Sequence, residues 1–493
     1  MACRAPAQGT GTPGGVSLTI YSAQDAREAL QSLERSLRGG RSHIDSASIP
    51  GFAIVREERS LALDQGRTVV RFPDVAATIE PTTVSFASLT HPGTTRVLEQ
   101  GFEFDLVSTE KILEKFVDRE ITAESAVGDS VEYVRGKLLS SAGGIVLQTE
   151  NGQIRILRTA QNFILPELPG GLITRPTLVW DVHAESGGEH RVAVGYEARS
   201  ITWWADYNLV FRPDDRGQNG SLDLAAWVSI LNRSGATFED ARLKLVAGDV
   251  NRIQEQPQMM EMRRSTLAAK QSFGGFEEKS FAEYHLYTLG RPATLPDSST
   301  KQLELFPKAV GIPCEKLLVY SGQSAMGYYN SPMMDQNFGQ TSPKDVAVYL
   351  RFRNRKPLGV PLPTGRIRVM QEDTDDGTLQ LIGEDSIDHT PEGEEVRVRL
   401  GNAFDVVGER VQKEFSLDSR RQTMDETIEV RIRNSKEQAV SVIVSENLYR
   451  WSNWEITKSS HDFTKIDART IHLPITVEAK GETVVRYSVH YSW

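Results

Sequence analysis

The chain contains 493 residues, of which 39% are hydrophobic and 25% are charged, and its formal net charge is −10. Single hydrophobic cores stop growing at about 250–300 residues, so a chain of this length is expected to form roughly three or four domains. The acidic balance argues against general nucleic-acid binding, which needs a basic surface, and against binding to anionic membranes. Since no apolar run approaches about 18 residues, no transmembrane span is predicted.

Residues 1–50 are predicted to be a disordered terminus followed by one short helix. Ser22 can cap this helix, Gly39-Gly40 can end it, and its apolar stripe is formed by Ala26, Leu30, Leu33 and Leu37. Cys3 precedes a stretch rich in Gly, Pro and Thr, as the lipid-carrying cysteine of a processed bacterial lipoprotein does. We favour an ordinary loose terminus, because no apolar signal segment accompanies the cysteine.

Residues 51–170 are predicted to form an N-terminal β domain. Apolar side chains alternate in four segments that predict strands, namely Phe52–Val55, Arg67–Phe72, Val84–Leu89 and Thr95–Leu106. A second helix is predicted over Ser108 to Val117, followed by a small β-barrel-like segment near residues 120–165. There, Asn151-Gly152 predicts a hairpin turn in which both residues adopt positive φ. The proline- and glycine-rich run Leu165–Gly171 predicts a linker at the domain boundary.

Residues 171–375 are predicted to form a central β-sandwich with inserted loops at 254–279 and 321–344, and residues 376–493 a C-terminal β-sandwich. Apolar residues alternate with polar ones in Ile201–Phe211, Leu222–Ile230, Ile428–Ile432 and Val485–Trp493. Three alternating runs end at an asparagine, Asn232, Asn354 or Asn434. We interpret them as equivalent corners, because asparagine tolerates the left-handed conformation at turns. The predicted fold class is mostly β: tandem β-sandwich-like domains with a small barrel-like segment and one or two short helices.

The strongest metal-site candidate is the set Asp181, His183, Glu185 and His190. Gly187-Gly188 predicts a tight hairpin turn that would pair Glu185 with His190 and place the other two side chains on the same face. Two imidazoles and two carboxylates can bind a divalent ion. We favour the alternative of a solvated face with one histidine–glutamate pair, because strand register is uncertain from sequence.

Other motifs lack the context that their chemistry requires. Gly9, Gly11 and Gly14 have dinucleotide-binding spacing but no flanking strand and helix, and the sequence after Ser324 lacks the second glycine of a nucleophile elbow. The acidic run Glu372–Gly377 predicts a hairpin turn at Asp376-Gly377 rather than a calcium loop. Cys314 is predicted to be a buried, inert thiol. The indole rings of Trp203, Trp204 and Trp227 are predicted to lie in the core, and His490 is predicted to be solvated.

Several segments resemble, in the same order, bacterial proteins that carry domain of unknown function 4139, relatives of the mucoidy-inhibitor A proteins. The matching segments are Phe52–Glu58, Gly136–Ser140, Leu165–Leu172, Trp203–Tyr207, Val228–Gly235, Tyr284–Tyr287, Arg291-Pro292, Lys301–Phe306, Gly365–Val369, Leu381–Glu384 and Gly401–Asp405. The resemblance implies β-rich domains, a bacterial origin and an exported setting. It implies no activity and no catalytic residues, and the long coiled coil of the mucoidy-inhibitor branch is missing.

These observations favour a non-enzymatic protein of the cell envelope or surface, located in the periplasm or anchored through Cys3, that binds an envelope polymer or a protein partner. The two inserted loops are predicted to present the binding surface. No catalytic, cofactor-binding or metal residue is assigned, and no cofactor is predicted. An unrecognised hydrolase, using the metal candidates named above, is the alternative, and a structural subunit that pairs through an exposed edge strand is a third hypothesis.

Overall fold

The computed structural model describes residues 7–8, 15–22, 49–103, 109–127, 130–141, 144–158, 160, 162–166, 175–214, 217–248, 276–281, 284–322, 331–338, 342–373 and 375–493. Their secondary structure is almost entirely β, which confirms the predicted fold class. Within these ranges, no helix is both long and apolar enough to cross a lipid bilayer.

The chain divides into two compact units. Unit 1 comprises Met1–Trp203, Ile230–Asp249 and Arg291–Lys301, and unit 2 comprises Trp204–Ser229, Val250–Gly290 and Gln302–Trp493. The elements up to residue 199 are β1 (Ala7–Gln8), β2 (Gly15–Tyr21), β3 (Phe52–Leu63), β4 (Gly66–Pro73), β5 (Ile79–Ser88), β6 (Thr95–Glu103), α1 (Thr109–Lys115), β7 (Glu120–Val127), β8 (Ser130–Ser140), β9 (Ile145–Gln148), β10 (Ile154–Leu157), β11 (Asn162–Ile164), β12 (Thr177–Ala184) and β13 (Gly188–Arg199).

The elements after residue 200 are strands only, in the parts of the chain that the structure describes. They are β14 (Ile201–Pro213), β15 (Asn219–Asn232), β16 (Phe238–Ala247), β17 (Phe276–Phe281), β18 (Tyr284–Leu289), β19 (Ala293–Leu295), β20 (Ser299–Ser321), β21 (Asp345–Arg353), β22 (Gly365–Glu372), β23 (Leu379–Ile387), β24 (Glu395–Asp418), β25 (Thr423–Asn434), β26 (Val440–Asn447), β27 (Trp454–Ser459), β28 (Thr464–Lys465), β29 (Thr470–Val477) and β30 (Glu482–Ser492).

Two of the sheets in unit 1 meet through aromatic side chains. One sheet has the order β1-β4-β12-β6, and the other contains β16-β2-β3-β13-β5. Trp180 on β12 is fully buried and lies 5.2 Å from Phe72 of its own sheet and 5.4 Å from Phe86 of the other, measured between ring centroids. Aromatic pairs at such distances contribute beyond the area that they bury.

The N-terminal region contains two strands that the sequence analysis does not predict. Ala7–Gln8 (β1) pairs with β4, and Gly15–Tyr21 (β2) pairs antiparallel with β3 and parallel with β16. The alternation of Val16, Leu18 and Ile20, all buried, is typical of a strand, but it is too short to be distinguished from a loose terminus by pattern alone. The helix predicted to start at Ser22 lies outside the described residues.

The segment predicted to be barrel-like is an open sheet with the linear order β10-β9-β8-β7-β11. Its end strands β10 and β11 do not pair with each other, so the predicted closure is wrong for the described residues. Helix α1 matches the predicted second helix. Its residue Leu113 and the following Phe116 pack with Val134 and Leu138 in the core beneath the sheet. The hairpin at Asn151-Gly152 is confirmed, but only Gly152 has positive φ, at 81°.

Unit 2 is organised around one extended sheet with the order β23-β22-β14-β15-β20-β21-β24-β25-β30-β27, to which β26 and β29 are added beside β20. The alternation predicted near the C-terminus is confirmed. Ile428, Val430 and Tyr487 are at most 1% exposed and belong to one core cluster with β26 and β29 residues. Period-2 alternation therefore places these side chains between packed strands.

The three predicted corners share one hydrogen-bond pattern. Each asparagine is buried, and its side-chain Nδ2 contacts one carbonyl a few residues ahead and two consecutive carbonyls of a more distant segment. The contacted carbonyls are Ala236, Leu295 and Pro296 for Asn232, Val360, Thr390 and Pro391 for Asn354, and Gln438, Val477 and Glu478 for Asn434.

The physical reason given for these corners is wrong, although their equivalence is confirmed. None of the three asparagines has positive φ. Their role comes from the side-chain amide, which donates to backbone carbonyls at strand ends and so ties two segments of the chain together.

We predict that Asn434→Ala lowers the free energy of unfolding by about 2–4 kcal/mol, because the buried side chain loses its contacts to three carbonyls and the hydrogen bond that it accepts from the Lys436 amide. Urea denaturation measures the change. Asn402→Ala is the control, since Asn402 is exposed and should change stability by less than about 0.5 kcal/mol. Equal losses for the two variants would show that the corner contributes no special stability.

Candidate functional site

The residues of the predicted metal site do not converge. Asp181 and His183 lie on the outer face of β12, where Asp181 accepts a hydrogen bond from Nε of Arg67 at 3.1 Å. This hydrogen bond is the main cause that lowers the pKa of Asp181, and the charge of Arg67 adds to it. Asp181 is therefore part of an ion pair with an arginine.

His190 is fully buried and so does not lie on the predicted solvated face. Its Nε2 lies 2.9 Å from the carbonyl of Ser186, and its Nδ1 lies 3.4 Å from the hydroxyls of Ser88 and Thr95. Since a carbonyl only accepts, Nε2 donates the hydrogen bond to Ser186. This histidine is satisfied by core hydrogen bonds.

The predicted pairing of Glu185 with His190 is wrong because the flanking strands belong to different sheets. β12 pairs with β4 and β6, whereas β13 pairs with β3 and β5. The glycines between them carry the chain from one sheet to the other instead of forming a hairpin. Among the residues that the structure describes, no group of three or more His, Cys, Asp or Glu side chains is placed to hold a metal ion.

The other sequence candidates have structural roles where they are described. Asp376-Gly377 forms the predicted hairpin turn between β22 and β23, with Gly377 at φ 73°. Cys314 and Trp203 are buried as predicted, whereas Trp227 is 39% exposed. His490 is on the outer face but is paired with Asp425 at 2.7 Å. Gly9, Gly11, Gly14, Ser324 and Cys3 lie outside the described residues.

The outer face of the small five-stranded sheet exposes large apolar side chains. Ile154 and Ile156 on β10 are 51% and 68% exposed, and Ile164 on β11 is 56% exposed. Tyr133 on β8, at 61%, continues the same face between the two outer strands. We call these four residues the apolar face. Scattered apolar residues are normal on a surface, and Gln148, Lys137 and Glu120 share this face between β10 and β11. The exposure of these large apolar side chains on one small sheet makes it a candidate interaction surface.

The other face of this sheet packs against the side of helix α1. Val134, Leu138 and Leu147 point to the helix side and are at most 4% exposed, so alternation directs their neighbours outward. Most outward positions of a solvated sheet are polar, and here Arg135 and Glu120 form one such ion pair at 2.8 Å. Isoleucine at the outward positions of both end strands departs from that pattern.

A buried polar network in unit 2 is a second unusual feature. Arg410 donates from Nε to Glu446 at 2.8 Å, and the hydroxyl of Tyr487 donates to the same carboxylate. All three side chains are at most 3% exposed. Burial, followed by the charge of Glu446, raises the pKa of Tyr487 well above its usual value, so this tyrosine keeps its proton and acts as a donor.

A second buried pair, Arg450 with Glu426 at 3.1 Å, holds a loop in place. Arg450 donates to the carbonyls of Met333 and Asp335 at 2.9 and 2.8 Å, and Tyr449 donates to that of Phe338 at 3.0 Å. The described part of the predicted 321–344 loop is therefore attached to the C-terminal strands through its backbone. This network has the features of a structural clamp, because its charges are compensated and engaged with one another.

The positions of two glutamates along their strands are a sequence signal for this network. Glu426 has the same parity as Ile428 and Val430 along β25, and Glu446 the same parity as Val442 and Val444 along β26. A charged residue at an inward position of a strand must find a partner in the core, because an unpaired buried charge is costly. Parity alone thus marks these glutamates as buried and paired.

No known protein family and no curated protein matches this chain.

We predict that Glu446→Gln destabilises the protein by about 3–5 kcal/mol, because Arg410 is left as an uncompensated buried charge. The double variant Glu446→Leu/Arg410→Met should recover much of this loss. Glu482→Gln is the control, since its ion pair with Arg431 is exposed and is expected to contribute less than about 1 kcal/mol. Urea denaturation compares the four proteins, and a loss for Glu446→Gln no larger than the control would contradict the clamp.

We predict that Cys314 resists alkylation in the folded protein. Burial, with a contribution from the charge of Glu315, raises the pKa of its thiol to about 12, so its thiolate fraction at pH 8 is about one in ten thousand. Mass spectrometry after iodoacetamide treatment, with Cys3 replaced by serine, should show modification only in urea. Modification of the native protein at the rate of a cysteine peptide would refute the prediction.

Proposed function

We propose that this chain is a non-enzymatic binding protein of the bacterial cell envelope, and that it recognises a protein partner through the apolar face. The observation that carries the proposal is the exposure of Ile154, Ile156 and Ile164, each above 50%, on the end strands of one small sheet. The envelope setting rests on the resemblance to the family of domain of unknown function 4139. Cell fractionation of the native organism tests that setting separately.

The chemistry of the apolar face favours a protein over an envelope polymer. Three of its four side chains are isoleucines, which offer neither hydrogen bonds nor the flat rings on which sugars stack. Burying an isoleucine is worth about 1.5–3 kcal/mol, and apolar side chains of another protein supply the matching surface. Tyr133 is the only one of the four residues that carries a polar group, its hydroxyl.

The end strands favour an extended partner segment. β10 pairs with β9 and β11 pairs with β7, and each has no second neighbour among the described residues. An extended peptide that adds to such an edge gains main-chain hydrogen bonds and directs alternate side chains to one face. We therefore propose that the ligand is an extended protein segment with alternating apolar residues, which lies along β10 and covers Ile154 and Ile156.

A selection of random linear twelve-residue peptides against the full chain tests this proposal. The selected peptides should be apolar at alternate positions, and the double variant Ile154→Lys/Ile156→Lys should weaken their binding at least tenfold. Each tenfold corresponds to about 1.4 kcal/mol, which is less than the burial of one isoleucine provides. Calorimetry measures the affinities.

The matched control is Leu379→Lys/Leu381→Lys, which changes two leucines that are 53% and 57% exposed on another end strand, β23. This variant should bind the selected peptides as well as the original chain does. Peptides that bind the isoleucine variant equally well would refute the proposal. A second experiment follows the methyl NMR signals of the isoleucines while chitotetraose or a selected peptide is added. Shifts at the apolar face with chitotetraose but with none of the peptides would also refute the proposal, because they would indicate a polymer ligand.

A further inference from the structure

Unit 2 contains a cleft of about 280 Å³ that the apolar face does not include. Its floor is formed by Lys316 and Leu318 on β20. One wall is the turn at Gly217-Gln218 before β15, and the other is the corner between β25 and β26, residues 436–441. The volume suits a small chemical group more than a drug-sized molecule, since pockets for the latter measure about 300–1,000 Å³.

The walls of the cleft are tied to each other through hydrogen bonds. The Lys316 amide donates to the carbonyl of Gln218 at 2.7 Å, and Nε2 of Gln218 donates to the carbonyl of Ala439 at 3.2 Å. The Lys436 amide donates to Oδ1 of Asn434 at 3.0 Å, so the buried asparagine of this corner also fixes Lys436. Both lysines thus start from fixed backbone positions, which lowers the ordering cost of binding.

Lys316 and Lys436 give this cleft a positive charge within an acidic protein. Both are half-buried, and neither ammonium forms an ion pair with a described carboxylate. The nearby carboxylates have other partners: Glu437 pairs with Lys480 at 2.9 Å, and Asp214 accepts from the amides of Gln218 and Asn219. Burial, and then repulsion from Lys436, lower the pKa of Lys316, while the charge of Asp214 acts in the opposite direction.

We infer that this cleft binds a small oxyanion, a phosphate or a carboxylate carried by a ligand, between the ammonium groups of Lys316 and Lys436. Ser441 lines the same cleft, and a serine hydroxyl can donate a third hydrogen bond. An oxyanion removes the repulsion between the lysines and accepts charge-assisted hydrogen bonds from both. This site is independent of the apolar face and of its partner.

Acylation footprinting of the full chain tests the inference. The protein is treated with N-hydroxysuccinimidyl acetate in the presence of inorganic phosphate, sodium acetate or sodium chloride at matched ionic strength, and mass spectrometry follows each lysine. One of the two oxyanions should slow modification of Lys316 and Lys436 at least threefold relative to chloride. Lys458, which is exposed on β27, is the internal control and should react equally in all three salts.

Comparing phosphate with acetate identifies the chemistry of the ligand. Stronger protection by phosphate indicates a phosphate group, and stronger protection by acetate indicates a carboxylate. Lys436→Met should abolish the protection of Lys316, whereas Lys458→Met should leave it unchanged. Because Lys436 lies at a corner and is only half-buried, its replacement is not expected to unfold the chain. Protection by neither oxyanion, or equal protection of Lys458, would overturn the inference.

Discussion

Buried backbone carbonyls at strand ends need donors, and in this chain buried asparagine amides supply them. Strands bring their carbonyls to the edge of a core, where the regular pairing between strands ends and other donors must complete the hydrogen bonding. Asn232, Asn354 and Asn434 solve the problem in the same way, each serving three carbonyls. Since the same solution recurs in both units, we regard it as the feature on which the corners of this fold depend.

The asparagine corner at 434 also connects stability with binding. The amide of Asn434 fixes the carbonyls of its own corner, while its oxygen accepts from the amide of Lys436. A single buried side chain therefore holds together the end of β25 and the wall of the proposed oxyanion cleft. The buried Arg–Glu pairs act in a similar way nearby, because Arg450 joins its glutamate and the backbone of the 331–338 loop in one network.

Much of the strand content follows from the sequence, because alternation is a local property. Ile428, Val430 and Tyr487 are buried as their two-residue period indicates, and the turn at Asp376-Gly377 lies where its residues predict. Which strands pair with each other, by contrast, depends on residues that are far apart in the sequence. The glycines at 187–188 fit a hairpin as well as a crossover between sheets, so the sequence cannot show that Glu185 and His190 are separated. The apolar face is equally hidden, because outward and inward isoleucines look alike until the helix side of the sheet is known.

The parallel pairing of β14 with β22 has a consequence for synthesis of the chain. Asp206 and Arg366, which face each other across these strands, are 160 residues apart. At about 5–20 residues per second, the ribosome needs roughly 10–30 s to deliver the second strand after the first. During that interval one edge of β14 has no neighbour from its native sheet, and contacts of such long range form slowly. In the nascent chain that edge of β14 therefore stays unpaired until β22 has been made.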